Sequence, residues 1–563
     1  MKNLFNGKLK WLGLLILLIL VNILANQFHG RLDLTKEKRY TLSAPTKKIL
    51  SSLKNTVTIT VVLEGEMPAG FKNLRNRAQE LLEHFKEQGG NRIQFKFVVP
   101  GEEAADGYSM DSLVSMGLQP TNVKVKAKKG TAEEQRYLFP GALVAANGKQ
   151  VPVDFLEGQD MTGGLQSINN AEALLEYKFL SAIQKVTTDQ VPLIGYLVGN
   201  GEPLNYNVYN LIEGVLKPNY RFSFLPIDSV PVIPDAFDAL LVVKPTQPFS
   251  EGQKLKLDQY VMRGGKMIWM VDRLFAEMDS LMRKQSDFVA FDRGLNLDDL
   301  FFKFGVRING DLLQDLQCDQ MPMVVGSMGD QPQMQLTNWP YFPLLNPNNS
   351  HIITQNLNKI ASLFPNSIDT LPQQEIQKTI LLSSSQNARV LSTPAMVSLN
   401  SVKTEDDLKT FQRSFVPVAV LLEGTFTSLY NHRLSTAALD SLQQYQHPFI
   451  AHSEKASKMI IASDADLVTN VVTQQEGPLE MGLNQFTKTK YANKEFLLNS
   501  IEYLVNPNGV LETRAKDYTL RLLDPKLLEE QKTFWQVFNL TLPILLVALF
   551  GGLFQYLRKR KFA

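Results

Sequence analysis

VPLIGYLV, residues 191–198, is an almost unbroken apolar run that ends in Gly199-Asn200-Gly201-Glu202. A run this short, closed by turn residues, fits a β-strand buried on both faces. Downstream, residues 206–216 have a helical pattern, and residues 239–243 (ALLVV) form a second apolar strand. Residues 250–263 fit a helix closed by Gly264-Gly265, and residues 266–271 (KMIWMV) a third strand ending at Asp272. Short apolar strands alternating with helices indicate a doubly wound parallel sheet covered on both faces. Residues 416–422 and 459–462 read as returning core strands and residues 493–505 as a helix. From about residue 279 to 410 Pro, Asn and Gln are common, and long insertions are expected there.

Upstream lies a smaller α/β pattern. Ser43 is placed to cap a helix beginning near Pro45. Residues 57–63 (VTITVVL) are strand-like. Residues 71–88 put Leu74, Ala78, Leu81, Leu82 and Phe85 on one helical face, and Gly89-Gly90 ends the helix. Residues 93–99 alternate like a strand, with more strand pattern near 123–127 and 143–153. This β-α-β opening is compatible with a thioredoxin-like arrangement, but it has no C-x-x-C for redox chemistry. A long helix over residues 170–186 joins the two patterns.

Both ends of the chain are apolar. Residues 11–25 read WLGLLILLILVNILA, with no Asp, Glu, Lys or Arg from Trp11 through Gly30 and with Lys2, Lys8 and Lys10 ahead of them. Residues 534–557 are uncharged and end in Arg558-Lys559-Arg560-Lys561. About 20 such residues cross a hydrocarbon core. A cleaved signal peptide is the rival reading of the first run, but the cleavage region lacks a clean A-x-A. Basic residues at both ends place both termini in the cytoplasm, and residues 30–532 on the far side of the membrane. The expected order is 1–10 cytoplasmic, 11–29 transmembrane, 30–169 a small α/β domain, 170–187 a linker helix and 188–510 the larger α/β domain. A membrane-proximal segment (511–533), a second transmembrane helix (534–557) and a cytoplasmic tail (558–563) complete it.

The 563 residues carry 58 basic and 56 acidic side chains, a net charge of +2, which gives no electrostatic footprint for nucleic acid. Phosphate-cradling and dinucleotide-binding glycine motifs are absent, as is H-E-x-x-H. His447 and His452 have no carboxylate at metal-ligand spacing. The single cysteine, Cys318, sits among Asp315 and Asp319, which disfavour a thiolate, and has no nucleophile elbow. No catalytic residue, cofactor or metal ligand is therefore expected. Two turns lie where sheet ends host ligands: Gly199-Asn200-Gly201-Glu202, and Asp464 with Asp466. Both also fit ordinary turn and capping chemistry. On the second apolar helix, Gly551-Gly552 offers close approach and Asn539 a polar contact to a partner helix, or both simply face lipid.

Five stretches occur in one order along nearly the whole chain. They are residues 31–35 (RLDLT) through 39–43 (RYTLS), Ile194-Gly195-Tyr196 to Gly201-Glu202, and residues 260–271 with Gly264-Gly265-Lys266. Then follow Ala462-Ser463-Asp464-Ala465-Asp466 and residues 493–523 with Asn499, Asn506 and Arg514. In this the chain resembles the GldG-type gliding-motility proteins of Bacteroidetes and, more widely, the auxiliary proteins of ABC-2-type transport systems. The resemblance implies a central domain like class I glutamine amidotransferases, here without the elbow cysteine. It also implies a non-enzymatic, substrate-binding-type subunit of the inner membrane, assembled with a multi-span permease and a separate cytoplasmic ATPase for gliding motility or export. The other classes to weigh are a membrane-tethered amidotransferase-like or hydrolytic enzyme and a periplasmic ligand sensor.

Overall fold

The computed structural model describes residues 15–19, 41–101, 108–126, 133–156, 165–188, 191–278, 287–328, 331–399, 405–445, 447–453, 455–506, 509–515 and 525–562. Of the first apolar run, only residues 15–19 fall within these. They are helical and exposed; the rest of that expected span lies outside the described residues.

The first helix, α1 (Ala44–Ser52), starts where Ser43 Oγ accepts the Thr46 N–H at 3.4 Å. It is followed by β1 (Val57–Val61), α2 (Ala69–Gly89) and β2 (Ile93–Phe97), the two strands parallel. The apolar face of α2 is buried at Leu74, Ala78, Leu81, Leu82 and Phe85, as its spacing demands. Residues 143–153, which read as strand pattern, are a hairpin. β3 (Gly141–Ala146) and β4 (Lys149–Asp154) turn at Asn147-Gly148, both at positive φ. The sheet order is β2-β1-β3-β4. Across it lies α3 (Leu165–Thr187), whose Phe179 meets Phe85 and Phe155 edge-on. Glu176 on α3 accepts from the Ser43 N–H and the Thr46 hydroxyl at 2.8 and 2.6 Å, pinning α1. Tyr177 of α3 packs against the larger core, and Gln184 donates to Asn506 at 3.0 Å. The helix is thus a wall shared by both cores.

The larger region is built on one sheet of ten strands. In chain order its main strands are β5 (Leu193–Val198), β6 (Arg221–Pro226), β7 (Ala239–Val243), β8 (Met267–Met270), β9 (Cys318–Met328), β10 (Gln331–Pro347), β11 (Ile376–Ser383), β12 (Pro417–Gly424) and β13 (Ser457–Ala462). In space they run β9-β10-β11-β12-β13-β8-β7-β5-β6, and the short strand Ile360–Ala361 pairs with β10. The five strands from β13 to β6 are parallel, and β9 to β12 are antiparallel. The sequence expectation of a parallel sheet therefore holds for half of a mixed sheet.

Alternate residues explain the apolar runs. Ala239, Leu241 and Val243 of β7, with Ile268 and Met270 of β8, face the core that holds Phe496, Leu497 and Ile501 of α5 (Asn493–Val505). Leu240, Val242, Met267 and Trp269 face the opposite core, with Leu257, Tyr260 and Val261 of α4 (Glu251–Met262). With apolar material required on both faces, no alternation survives in the sequence. The helix expected over 206–216 is a 3₁₀ turn (Tyr206–Val208) followed by a π-helical stretch (Asn210–Leu216), still burying Val208, Leu211, Val215 and Leu216. The edge strand β6 alternates polar and aromatic residues, which the apolar-run criterion passes over.

The stretch expected to be insertions has a core of its own. Trp339, Tyr341, Phe364 and Phe288 pack edge-on or tilted, and strand Asp311–Asp315 pairs with Ala388–Ser392. Prolines at 340, 343 and 347 inside β10 hide its strand character.

From Tyr518 onward the chain is a separate compact unit. Its helix α6 (Pro525–Phe562) contains a stretch, Glu529–Arg560, long and apolar enough to cross a membrane, none of it buried. At 1.5 Å per residue, 38 residues extend about 57 Å, well beyond a hydrocarbon core of roughly 30 Å.

Candidate functional site

Because β7, β8 and β13 are parallel neighbours, their carboxyl ends converge. One residue past β7 stands Lys244, two past β8 Asp272, and two and four past β13 Asp464 and Asp466. The Lys244 ammonium lies 2.8 Å from Asp466 Oδ1 and 3.3 Å from Asp272 Oδ2. Lys244 holds a positive φ of 47°, and the following Pro245 excludes a continued regular strand.

Backbone donors hold the acids. Asp272 Oδ1 accepts the Ala465 N–H at 2.6 Å. Asp464, fully buried, accepts from the Ser362 hydroxyl at 2.5 Å, the Leu363 N–H at 2.8 Å and the Asp466 N–H at 2.7 Å. Asp466 also accepts the Thr469 hydroxyl. Burial raises the pKa of Asp272 and Asp464, and neighbouring carboxylates add to the effect at both. Burial pulls Lys244 downward, but Asp466 and Asp272 more than offset it, so the ammonium stays charged.

The second turn closes in a different way. Glu202 Oε2 accepts the N–H groups of Gly199 and Asn200 at 3.0 and 2.7 Å. The Asn200 amide donates to the Pro248 carbonyl at 3.1 Å and to Gln253 Oε1 at 3.0 Å. The Asn200 backbone carbonyl accepts the N–H groups of Thr246 and Gln247, each at 2.9 Å. Asn200 Oδ1 and Glu202 Oε1 are buried without a hydrogen-bond partner. Burial raises the Glu202 pKa against the pull of its backbone donors. Gly201 sits at φ +77°, and a Cβ there would fall 2.1 Å from Thr246 Oγ1.

The structure therefore brings both sequence candidates to the same end of the sheet, at β13 and β5 with β8 and β7 between them, and the loop from Lys244 to Pro248 touches each. Lys244 is the member that sequence reasoning missed. Its one visible signal is a lone cation directly after a buried apolar strand. A cavity of about 50 Å3 is lined by Val271 and Arg273, on either side of Asp272 in sequence, and by Phe301; another of about 620 Å3 lies beside Gln373 and Lys378. Among the described residues, no three His, Cys, Asp or Glu side chains gather in a way that would hold a metal ion. Cys318 is buried at the start of β9, its thiol pushed up to about 12 by burial and by Asp315 and Asp319. On α6, Asn539, Gly551 and Gly552 are exposed, and a Cβ on either glycine would meet nothing within 4 Å.

Residues 192–500, more than half of the chain, match the model of a family described as an ABC-type uncharacterized transport system. Residues 36–145 match a domain of unknown function. No curated protein matches. Among solved structures, the mmIFT52 N-terminal domain aligns over 56% of this chain and 97% of its own, at 10% identity and a TM-score of 0.30. That is too loose a likeness to bear on the fold.

Proposed function

From the premise that this chain belongs to the auxiliary family of ABC-type transport systems, we propose that it is a non-catalytic, membrane-anchored subunit docking on a permease and a separate cytoplasmic ATPase. The family match and the long apolar α6 support a transport-associated role at a membrane. The observation that carries the non-catalytic half is Lys244. It occupies the carboxyl-end crevice where a sheet of this type would receive a ligand, and it pairs with Asp466 and Asp272 there. What stands at these strand ends is an ion cluster, whose acids accept the Ser362 and Thr469 hydroxyls, and a turn folded back on its own backbone.

The finer reading is a two-span protein with both termini cytoplasmic and its larger region periplasmic. It would serve gliding motility or export in the manner of the Bacteroidetes proteins it resembles. The parallel half of its sheet would then be an amidotransferase-like scaffold without the chemistry. Two spans enclose no conventional solute pathway by themselves, so a permease must supply it. Helix association in lipid depends on close packing and polar contacts, for which Asn539, Gly551 and Gly552 are available. The test is purification of the full chain from its source in mild detergent. A permease and an ATPase should co-purify, and the isolated chain should hydrolyse no ATP. Hydrolysis by the pure chain, or consistent recovery without any permease, overturns the proposal.

A further inference from the structure

From Gln320 to Pro347, the stretch that forms most of the ribbon of β9 and β10, the sequence has one charged residue, Asp330, in a chain that is 20% charged. The base of the ribbon is anchored by buried Met321, Trp339 and Tyr341. Further out its apolar side chains are exposed: Val324 is 62% exposed, Val325 51%, Met334 55% and Leu336 43%. These residues lie on both strands of the ribbon, with Val324 opposite Met334 and Pro322 opposite Leu336. β9 is also the last strand of the sheet, and β11 reaches β10 only at Asn346 and Pro347. The outer ribbon thus presents open backbone edges as well as apolar side chains. Natural edge strands are usually blunted by charges, above all lysine. Here, among the described residues, Pro322, Pro332 and the register shift between Val324 and Gly326 do so.

We propose that this ribbon is a self-association element, through which two copies of the chain pair about a two-fold axis. Lipid is a poor occupant, because unpaired backbone groups on the ribbon edges would be stripped of water with no partner in hydrocarbon. A charged partner surface would lose hydration against strands that, from Gln320 to Met328 and from Gln331 to Pro347, have no charge to return. A second ribbon answers both needs, since its strand edge supplies donors and acceptors and its neutral apolar side chains meet no like charge. Antiparallel pairing of one edge with its own copy closes the assembly at two. None of this depends on a transport role.

The experiment measures the mass of the full chain in detergent by light scattering across a concentration series, without any permease. The wild type should be dimeric. Val324→Lys combined with Leu336→Lys should weaken the dimer by about 100-fold or more while leaving the thermal midpoint of the folded region unchanged. If that variant fails to fold, Val325→Cys in a Cys318→Ser background decides alone, and mild oxidation should give a disulfide-linked dimer. A wild-type chain that stays monomeric throughout overturns the inference. So does a dimer indifferent to both lysines, or no cross-link at residue 325. Binding of a monomeric chain to neutral phosphatidylcholine vesicles that the lysines abolish would assign the ribbon to lipid and overturn it too.

Discussion

At the end of β13 the chain gathers charges around one lysine; at the end of β5 it gathers dipoles around one turn; each leaves buried acceptors without a hydrogen bond, Asp272 Oδ2 in the first and Asn200 Oδ1 and Glu202 Oε1 in the second. The first cluster sets Lys244 between Asp466 and Asp272, with Asp464 below them taking three donated hydrogen bonds. The second folds Glu202 back on its own turn, while Asn200 Oδ1 and Glu202 Oε1 stay buried and unpaired. Both occupy positions where parallel sheets receive ligands, so position alone does not make a site. The difference lies in how tightly each cluster depends on one group. A set of acids tied to one lysine fails when that lysine is removed. A turn of dipoles loses one contact at a time.

That contrast can be broken at Lys244. Lys244→Met leaves Asp272 and Asp466 buried without a cation. By the usual cost of breaking a buried ion pair, the folded region should lose about 3–5 kcal/mol in a denaturant titration. A loss below about 1 kcal/mol would mean that the acids are neutral or solvated without the lysine. Asp464→Ala should cost less, about 2–3 kcal/mol. It strands the Ser362 hydroxyl and two N–H groups but also removes a buried carboxyl whose ionisation burial opposes.

The second cluster should respond more weakly. Gly201→Ala forces a side chain into positive φ and onto Thr246, and should cost about 1–2 kcal/mol. Part of that should return in a Thr246→Ala background if the overlap contributes as well as φ. Smallest of all is Glu202→Gln, expected to stay within about 1 kcal/mol at neutral pH, because an amide oxygen can still accept both N–H groups. Its signature is a pH dependence. Burial raises the folded-state pKa of Glu202, so the wild type holds this contribution fully below about pH 4.3 and loses it as pH rises through the folded value. The glutamine variant lacks that loss and should gain on the wild type in thermal melts taken from pH 4 to 7. A gap that stays constant over that range would place Glu202 in solvent.

Both clusters were visible in the sequence as polar punctuation after apolar runs, but their contents were only half visible. Asp464 and Asp466 announce themselves beside a buried strand. Lys244 does not, because what makes it matter is the adjacency of β7, β8 and β13, drawn from distant parts of the chain. The donors to Asp464 come from residues 362 and 363, about a hundred positions away. Asn200 likewise depends on Thr246, Gln247 and Gln253. Turn chemistry is local and can be read, whereas the pairing of a charge across neighbouring strands cannot.

The same division runs through the whole protein. The sequence by itself determined the helix face of α2, the cap at Ser43, the apolar strands β5, β7 and β8, and the long apolar helix α6. Each of these follows from a spacing or a burial demand expressed within a few residues. Only the tertiary structure decided that the sheet changes from parallel to antiparallel at β12, and that 143–153 folds into a hairpin. It alone decided that the proline-rich middle builds an aromatic core, and that one lysine closes the crevice. Strand order and direction depend on which distant segments meet, and a strand buried on both faces reads the same whichever way its neighbour runs.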